Sequence, residues 1–369
     1  MSTAPYRAGI IGTARVGSWY DDLLGETPEL IPSSHAGCYA AHPRTRLVAG
    51  SDLDPERLQR FGEKWDVPGA SRYADYQAML ATERLDVVSI TTAWGHDHAA
   101  IAPQVIAGGV RGVFCEKPIA TSMAEADRIV EAVRREGVAF ACAYLRRWNP
   151  RYLALRAALD AGVIGELRSI TAIGVGNLMH TATHYADVMA YLAGDAPPAY
   201  AWGRIEPIPP DARSPTARVD PQGSGAIELQ NGVRLYLEGI SGGAITFLLS
   251  GSAGRLLVIN DARDAQLWRQ SAGGGRGVGG GEVAERGGRL AGRWLASEAL
   301  PLPAQDRSPV LMALEDLVQC METGREPACS ERHAARAMEL CLALHASHRR
   351  DGGRVAFPLE DRDLSVDTW

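Results

Sequence analysis

The first 145 residues alternate short apolar runs with segments of helical spacing. The helical segments lie at residues 55–65 and 123–136, where apolar side chains recur three and four positions apart. The apolar runs are typical of buried parallel strands, and they cover residues 6–11, 46–51, 86–91, 112–115 and 139–144. Strand and helix in strict alternation predict an α/β domain built on a doubly wound parallel sheet.

The pattern changes after Pro150. Two helices are predicted at residues 151–161 and 184–192. Strand-like runs then follow one another without helices between them, at residues 199–205, 225–229, 233–240, 244–250 and 255–259. Asn231-Gly232 is typical of a hairpin turn between two of them. These runs predict a second, α+β domain with an open, mostly antiparallel or mixed sheet.

The tail of the chain returns to helix, with two apolar stripes between residues 310 and 344. The Gly- and Arg-rich segment 273–292 between sheet and tail predicts an exposed, mobile excursion. We therefore predict two domains, residues 1–148 and residues 149–369. The C-terminal helices could pack back onto the first domain.

Composition supports two soluble cores and excludes several partners. The chain has 369 residues, of which 46% are hydrophobic and 22% charged, with a formal net charge of −6. Without a Lys/Arg stripe, nucleic acid is not an expected partner, and an acidic surface disfavours anionic membranes. No apolar run reaches 18 residues, and the N-terminus lacks the features of a signal peptide. Six scattered cysteines favour free thiols in a reducing cytoplasm.

A glycine-containing loop follows the first predicted strand. Gly12 and Gly17 fit the first and third glycines of G-x-G-x-x-G, and Ala14 takes the middle position. The first glycine permits a tight turn, and the third permits close helix packing. N–H groups at the start of the next helix can then bind a pyrophosphate. This loop predicts a Rossmann dinucleotide site.

An acidic residue, Asp52, ends the second predicted strand. Its carboxylate can accept both ribose hydroxyls and would repel a 2′-phosphate, and Leu53 follows where a cation would suit NADP. NAD is therefore favoured, although Arg15 would favour NADP if it reaches the ribose. The interval from loop to Asp52 is unusually long. Residues 18–34 are therefore predicted to be an insertion, either lining the active site or lying on the surface.

The motif Cys115-Glu116-Lys117-Pro118 follows the fourth predicted strand. Together with the glycine loop, it resembles the Gfo/Idh/MocA oxidoreductases, the superfamily of glucose-fructose oxidoreductase and inositol dehydrogenase. Residues 44–57, 162–167 and 174–192 are similar to further segments of that superfamily. The resemblance implies an NAD(P)-dependent enzyme that acts on a sugar, glycoside or cyclitol.

Members of this superfamily commonly use the lysine of Glu-Lys-Pro with an Asp and a His four residues apart. The resemblance implies that Lys117 and His184 are catalytic, whereas His180 stands at the position of the aspartate. A histidine base near the reacting hydroxyl suits proton removal, and a lysine can stabilise the developing negative charge. His180 has three open roles: a proton relay with these two, a wall of the substrate pocket, or an H-x-x-x-H metal ligand. We expect no metal, because a third ligand is not evident.

The remaining site predictions follow from the same motifs. The expected cofactor contacts are Gly12, Thr13, Ala14, Arg15, Val16, Asp52, Thr92, His98, Glu116 and Lys117. The expected substrate contacts are Lys117, Trp148, Asn177, His180 and His184. Trp94, His96 and Arg147 are further candidates near the substrate.

Three functions stay open at this level. The first is an NAD(P)-dependent dehydrogenase. The second is a redox-neutral enzyme that recycles bound NAD, which the histidine at position 180 favours. The third is a non-catalytic ligand-binding regulator on the same scaffold. An open sheet face predicts a homodimer or homotetramer.

Overall fold

The computed structural model describes residues 4–25, 27, 30–93, 95–207, 220–239, 245–270 and 295–366. The predicted Gly- and Arg-rich excursion at residues 273–292 lies outside these ranges. Within them the chain forms two sheets, and the predicted combination of a parallel α/β domain with an α+β domain is confirmed.

The first sheet has six parallel strands in the order β3-β2-β1-β4-β5-β6. The chain crosses over after β3, so the carboxyl ends of β1 and β4 lie side by side, where doubly wound sheets bind ligands. The strands are β1 (Tyr6–Ile11), β2 (Thr45–Ser51), β3 (Arg72–Tyr73), β4 (Val87–Ile90), β5 (Gly112–Cys115) and β6 (Ala139–Cys142).

Six helices accompany this sheet. They are α1 (Arg15–Ser18), α2 (His35–Ala41), α3 (Pro55–Trp65), α4 (Tyr76–Thr82), α5 (Gly95–Ala107) and α6 (Met123–Glu136). Helix α6 begins with a capping box between Ser122 and Glu125 and ends at left-handed Gly137. Of the apolar positions that the helical spacing predicted, Ala126, Ile129 and Val133 are buried and Val130 is half-buried.

The second sheet has nine strands in the order β14-β13-β12-β11-β7-β10-β9-β8-β15. Only β7 and β10 pair in parallel, and the other neighbours are antiparallel. The strands are β7 (Leu167–Ile173), β8 (Pro198–Ile205), β9 (Gly223–Leu229), β10 (Arg234–Glu238), β11 (Thr246–Gly251), β12 (Gly254–Ile259), β13 (Asp264–Gln270), β14 (Leu295–Ala299) and β15 (Val355–Ala356). The predicted hairpin turn is confirmed, with Gly232 at φ 82° between β9 and β10.

Four further helices follow β6 in the described ranges, and the first, second and fourth of them contact this sheet. They are α7 (Pro150–Asp160), α8 (Thr183–Leu192), α9 (Pro309–Thr323) and α10 (Glu331–His348). Helix α9 packs against β5 and β6, and α10 packs against α6, α8 and β8. The other face of the sheet exposes Ile173, Tyr200 and Trp202.

A buried ion-pair network ties the segment before α7 to α8. Arg147 and Asp187 expose only 2% and 1% of their side chains, and the guanidinium contacts both carboxylate oxygens at 2.8 and 3.0 Å. Asp195 accepts two further hydrogen bonds from Arg147. The prediction that Arg147 meets the substrate is therefore wrong, because its donors are committed inside the protein.

The predicted substrate contact of Trp148 is contradicted in the same way. Its side chain is buried, and its indole N–H donates to Asp316 of α9 at 2.9 Å. A tryptophan whose polar edge is bonded in the core serves packing between the first domain and the C-terminal helices.

Candidate active site

The glycine loop is held tightly against β4. Gly12 has φ 92°, and a Cβ there would lie 2.8 Å from the backbone of Thr91 and Thr92. A Cβ at Gly17 would lie 2.2 Å from the carbonyl oxygen of Gly12. Both glycines are therefore required by close backbone contact. Ala14 is extended and precedes the single turn of α1.

The carboxylate of Asp52 is bound to this loop. Its Oδ2 accepts hydrogen bonds from the Thr13 N–H at 2.7 Å and from the Thr13 hydroxyl at 3.0 Å. Its Oδ1 accepts from the N–H of Asp54 at 3.0 Å. Leu53 is 91% exposed and offers no cation beside the carboxylate. The acidic residue thus lies where a ribose would meet it, next to the phosphate loop.

The predicted insertion interrupts the helix that follows the loop. Helix α1 ends after one turn, and a 3₁₀ turn (Tyr20–Leu23) follows. The carboxylate of Asp21 accepts from the N–H groups of Ser33 and Ser34, and Ser34 caps α2. The segment therefore closes on itself and returns the chain into α2.

Helix α2 brings His35 to the active site, a residue that the sequence did not single out. His35 is buried, with Nδ1 2.9 Å from the Ser89 hydroxyl and Nε2 3.4 Å from Oε1 of Glu116. Tyr39 bonds the same hydroxyl at 2.8 Å. Burial raises the pKa of Glu116, but the hydrogen bond from His35 and the charge of Lys117 outweigh it and lower that pKa overall.

His98 is not a cofactor contact, which corrects the sequence prediction. Its side chain is fully buried, and its two ring nitrogens lie 2.7 Å from the Pro118 carbonyl and 2.8 Å from the Thr92 carbonyl. The imidazole therefore fastens the loop after β4 to the turn that carries Lys117. The hydroxyl of Thr92 is buried, and no group in the described ranges bonds it, so it can still receive a ligand.

The amine of Lys117 lies between the two domains. Its Nζ donates to the carbonyl oxygen of His180 at 2.9 Å. Burial lowers the pKa of this amine below its ordinary value of 10.5, although the charge of Glu116 opposes the shift. The chain contains only two lysines, Lys64 and Lys117, and uses arginine at its other cationic positions. An amine can titrate near neutral pH, whereas a guanidinium does not.

The two predicted site histidines come from consecutive helical segments. His180 lies in a π-helix (Leu178–Ala182) and is exposed, and His184 lies in α8. A π-helix bonds i to i+5, so spacing of four does not place the two rings as in a regular α-helix. Partial desolvation lowers the pKa of His180 from its ordinary value, and the charge of Lys117 lowers it further.

His184 is held as a neutral base. Burial lowers its pKa well below 6.5, and the charges of Lys117 and Arg146 add to this shift. Tyr144 packs edge-on against its ring, with centroids 5.4 Å apart. The Nδ1 atom is buried and meets no hydrogen-bond partner in the part of the chain that the structure describes.

Asp220 binds the backbone of the segment that carries His180, and no sequence pattern indicated this residue. Its carboxylate accepts from the N–H of Met179 at 2.9 Å and from the N–H of His180 at 2.6 Å. Its carbonyl accepts from the side-chain amide of Asn177 at 2.6 Å. The carbonyl of His180 in turn receives Lys117. Asp220 therefore fixes the segment against which the lysine rests.

A second acidic residue, Asp261, orients a cation near the site. Arg146 donates from Nε and Nη2 to the two carboxylate oxygens of Asp261, at 2.9 and 3.1 Å, and the Tyr152 hydroxyl donates to Asp261 at 2.6 Å. Asp261 lies in a turn of three left-handed residues, Asn260, Asp261 and Ala262. Such a turn strains non-glycine residues, and at Asp261 it aims a carboxylate at Arg146.

The remaining predicted site residues differ in their exposure and in their contacts. Asn177 is half-buried at the start of the π-helix, and its substrate contact stays a prediction. Arg15 is exposed, with its guanidinium 5.9 Å from the ring of Tyr20, and Val16 is half-buried. His96 contacts Asp97 at 3.1 Å, and Trp94 lies outside the described residues.

No cluster of three or more His, Cys, Asp or Glu suited to a metal ion occurs in the described ranges. None of the helices in these ranges combines the length and the apolar composition needed to cross a bilayer.

Removing the carboxylate of Asp220 should make the position of Lys117 less well defined, while the affinity for the cofactor is retained. Burial raises its pKa to about 6, so the ionised form that accepts both N–H groups dominates only above that pH. We expect wild-type kcat to fall as the pH drops from 7 to 5. The variant Asp220→Asn should have lower kcat and lose this limb of the profile, with unchanged NADH affinity.

Asp220→Glu is the matched control and should restore part of the pH limb. A variant Asp220→Asn that keeps both the wild-type kcat and its acid limb would contradict the positioning role. The raised pKa of Asp220 also makes the stability of the folded state depend on pH. The folded state binds the proton more tightly between pH 3.8 and about 6, so this stabilising contribution is lost as the pH rises through 6.

Comparison with protein families finds a match in the first part of the chain. The Gfo/Idh/MocA model, described as an oxidoreductase family with an NAD-binding Rossmann fold, matches residues 7–144. Residues 7–144 therefore match the Gfo/Idh/MocA family, and the resemblance seen in the sequence is confirmed over this part of the chain. The matched family is NAD-binding, as the loop and Asp52 predicted.

Curated relatives match over part of the chain. Inositol 2-dehydrogenase of Gluconacetobacter diazotrophicus is 34% identical over 129 residues, which cover 35% of this chain and 37% of that protein. Trans-1,2-dihydrobenzene-1,2-diol dehydrogenase of Bos taurus is 30% identical over 182 residues, 49% of each chain. The chain thus spans between about a third and half of the length of these relatives.

Solved structures share the fold over nearly the whole chain. The WlbA dehydrogenase of Bordetella pertussis, solved with NADH and UDP-GlcNAcA, has a TM-score of 0.71 at 19% identity and covers 96% of this chain and 100% of its own. The aldose-aldose oxidoreductase of Caulobacter crescentus, with glycerol, has a TM-score of 0.73 at 18% identity over 96% and 100%. At such identity the likeness establishes the fold alone.

Proposed function

We propose that this protein is an NAD-dependent dehydrogenase that acts on a secondary hydroxyl or ketone of a sugar or cyclitol. The observation that carries the proposal is the approach of Lys117 to the His180–His184 segment, at the carboxyl edge of the parallel sheet. An amine of lowered pKa and a neutral histidine there are the groups that alcohol oxidation requires. The relatives named as inositol and dihydrodiol dehydrogenases support the substrate class.

The residues present fit the cofactor. Gly12 and Gly17 allow the loop to pack closely on itself and on β4, Asp52 lies beside the loop, and the buried hydroxyl of Thr92 has no partner in the described ranges. Thr13 and Asp52 would hold the adenosine ribose, and the loop from Gly12 to Val16 would hold the pyrophosphate. When bound, the nicotinamide supplies the hydride acceptor or donor.

The protein's own groups manage the proton. His184 is neutral near pH 7 because its pKa is well below 6.5, so it can accept the hydroxyl proton. Lys117 donates a hydrogen bond to the same oxygen and stabilises its negative charge. Glu116 and His35 stabilise the backbone turn at Lys117. The N–H of Lys117 donates to Glu116 at 3.3 Å, and His35 contacts the carboxylate of Glu116.

Titration with NADH and NADPH, followed by nicotinamide fluorescence, tests the cofactor assignment. We expect NADH to bind more tightly than NADPH. Asp52→Asn should weaken NADH binding about tenfold through loss of a charge-assisted bond to ribose, and should reduce the preference over NADPH. Asp66→Asn, an exposed left-handed residue at the end of α3, is the matched control. Nucleotide-free protein that binds neither cofactor would defeat the dehydrogenase proposal and favour the regulator.

A redox-neutral reaction is the second candidate, because His180 adds a base beside Lys117 where the superfamily commonly has an aspartate. Net change in nicotinamide absorbance separates the two. Stoichiometric NADH formation with substrate supports the dehydrogenase, and product formation at constant absorbance supports the recycled cofactor.

We also propose a homodimer or homotetramer formed through the open face of the second sheet, in a cytoplasmic setting. Tyr200 and Trp202 on β8 are 36% and 37% exposed there, and Ile173 on β7 is 39% exposed. Large apolar side chains on an uncovered sheet are typical of an interface. Six buried free cysteines are compatible with a reducing compartment.

Placing a charge on this face should break the assembly. Trp202→Glu is expected to give a monomer by light scattering, because two desolvated carboxylates would face each other or the apolar partner. Leu153→Glu, at an exposed apolar position of α7, should leave the oligomer intact. A monomeric wild-type protein would contradict the proposal.

A further inference from the structure

The charged groups that, after burial, lower the pKa of His184 are all cationic. The charges that shift His184 come from Lys117, Arg146 and His180. Of these, His180 occupies the position where the resemblance implies an aspartate. The site thereby loses a negative charge relative to the common pattern and gains a nitrogen donor.

The nearby carboxylates are committed to other partners. That of Asp220 receives the N–H groups at the start of the π-helix. That of Glu116 contacts His35 and the N–H of Lys117. That of Asp261 receives Arg146 and Tyr152. Each acidic group therefore stabilises the protein framework instead of offering an acceptor to the substrate.

The cations keep donors that these contacts do not use. Nζ of Lys117 touches a neutral carbonyl, and within the described ranges no carboxylate forms an ion pair with it. Arg146 uses Nε and Nη2 for Asp261, and its Nη1 has no hydrogen bond to the described residues. An ionised acceptor on the substrate would gain charge-assisted hydrogen bonds from such groups, which are stronger than neutral ones.

We propose that the substrate is a polyol that carries a carboxylate, a sugar acid or cyclitol acid, and that Arg146 and His180 form its acid-recognising side, beside the amine of Lys117. This rests on the proposed dehydrogenase function. A carboxylate fits better than a phosphate, because backbone N–H groups at a helix start are typical phosphate ligands, and at the π-helix they are taken by Asp220.

Matched pairs of acids and neutral polyols test this on the wild-type protein with NADH bound. The pairs are D-glucuronate with D-glucose, D-galacturonate with D-galactose, and D-gluconate with D-glucitol, and glucose 6-phosphate is the phosphate arm. Nicotinamide fluorescence reports binding, and NADH formation with NAD reports turnover. We expect at least one acid to half-saturate at about a tenfold lower concentration than its neutral partner, equivalent to about 1.4 kcal/mol.

The variant His180→Asp is the sharper test. Restoring the carboxylate should reverse the ratio between acid and neutral polyol, by repulsion of the acid, while NADH affinity stays unchanged. Arg168→Gln, an exposed arginine at the start of β7, is the control and should keep the wild-type ratio.

Each other outcome overturns the inference. Equal or weaker binding of all three acids, or no response to any of them in NADH-loaded protein, shows that the site does not select a carboxylate. Tighter binding of glucose 6-phosphate than of the acids assigns the positive side to a phosphate. Turnover of neutral polyols alone would leave the dehydrogenase intact and refute only this inference, whereas failure to bind NADH refutes the dehydrogenase itself.

Discussion

Replacing Lys117 with methionine is expected to lower kcat about a thousandfold, within the range that positioned acid–base groups contribute. Methionine fills a similar volume but offers neither a proton nor a charge to the reacting oxygen. The bond from Nζ to the His180 carbonyl is also lost. NADH affinity should change little, because the residues proposed to hold ribose and pyrophosphate lie on the loop after β1 and at the end of β2.

The only other lysine supplies the matched control. Lys64→Met removes an amine from α3, where it pairs with Asp22, and should leave kcat within about twofold, as surface pairs contribute little. The variant Lys117→Arg keeps the charge but cannot lose its proton, so it separates charge from proton transfer. Lys117→Met with kcat near the wild-type value would show that this amine is not catalytic.

The variant Arg147→Met should lower the free energy of unfolding by about 3–5 kcal/mol, because it leaves the buried carboxylate of Asp187 without its partner. Both side chains are at most 2% exposed, so water cannot replace the lost bonds. Asp195 would lose two hydrogen bonds as well. Urea denaturation, monitored by tryptophan fluorescence, measures the change.

A double-mutant cycle isolates the pair. Arg147→Met with Asp187→Leu should recover much of the loss, since no unpaired charge then remains at Asp187. Arg134→Met is the surface control, because Arg134 and Glu131 are 73% and 56% exposed and such pairs contribute at most about 1 kcal/mol. Equal destabilisation by Arg147→Met and Arg134→Met would contradict the buried-pair interpretation.

The local sequence pattern was sufficient to predict much of the secondary structure of the first domain. The continuous apolar runs of β1, β4 and β5 are buried throughout their length, apart from Arg7 in β1, because parallel strands are covered on both faces. The central strand of the second sheet, β7, was missed. Only Ile170 and Ala172 are buried in it, so half of its positions face the open side and the apolar run is broken.

Motifs at fixed spacing could be recognised in the sequence, but the hydrogen-bond partners of the site residues could not. The sequence by itself determined the glycine loop, Asp52, and the Glu116-Lys117 turn, because each depends on backbone geometry within a few residues. The motifs also indicated Arg147, Trp148 and His98 as ligands, which was wrong because these side chains are buried and their polar atoms are bonded inside the protein.

Only the tertiary structure decided which groups surround the reacting atoms. His35 and Glu116 are 81 positions apart, His180 and Asp220 are 40 apart, and Arg146 and Asp261 are 115 apart. No periodicity connects such pairs, since their contact depends on the packing of two domains and on turns outside any regular element. The sequence therefore determined the glycine loop and the position of Lys117 after β5, and the fold decided the charge of the surroundings in which that lysine lies.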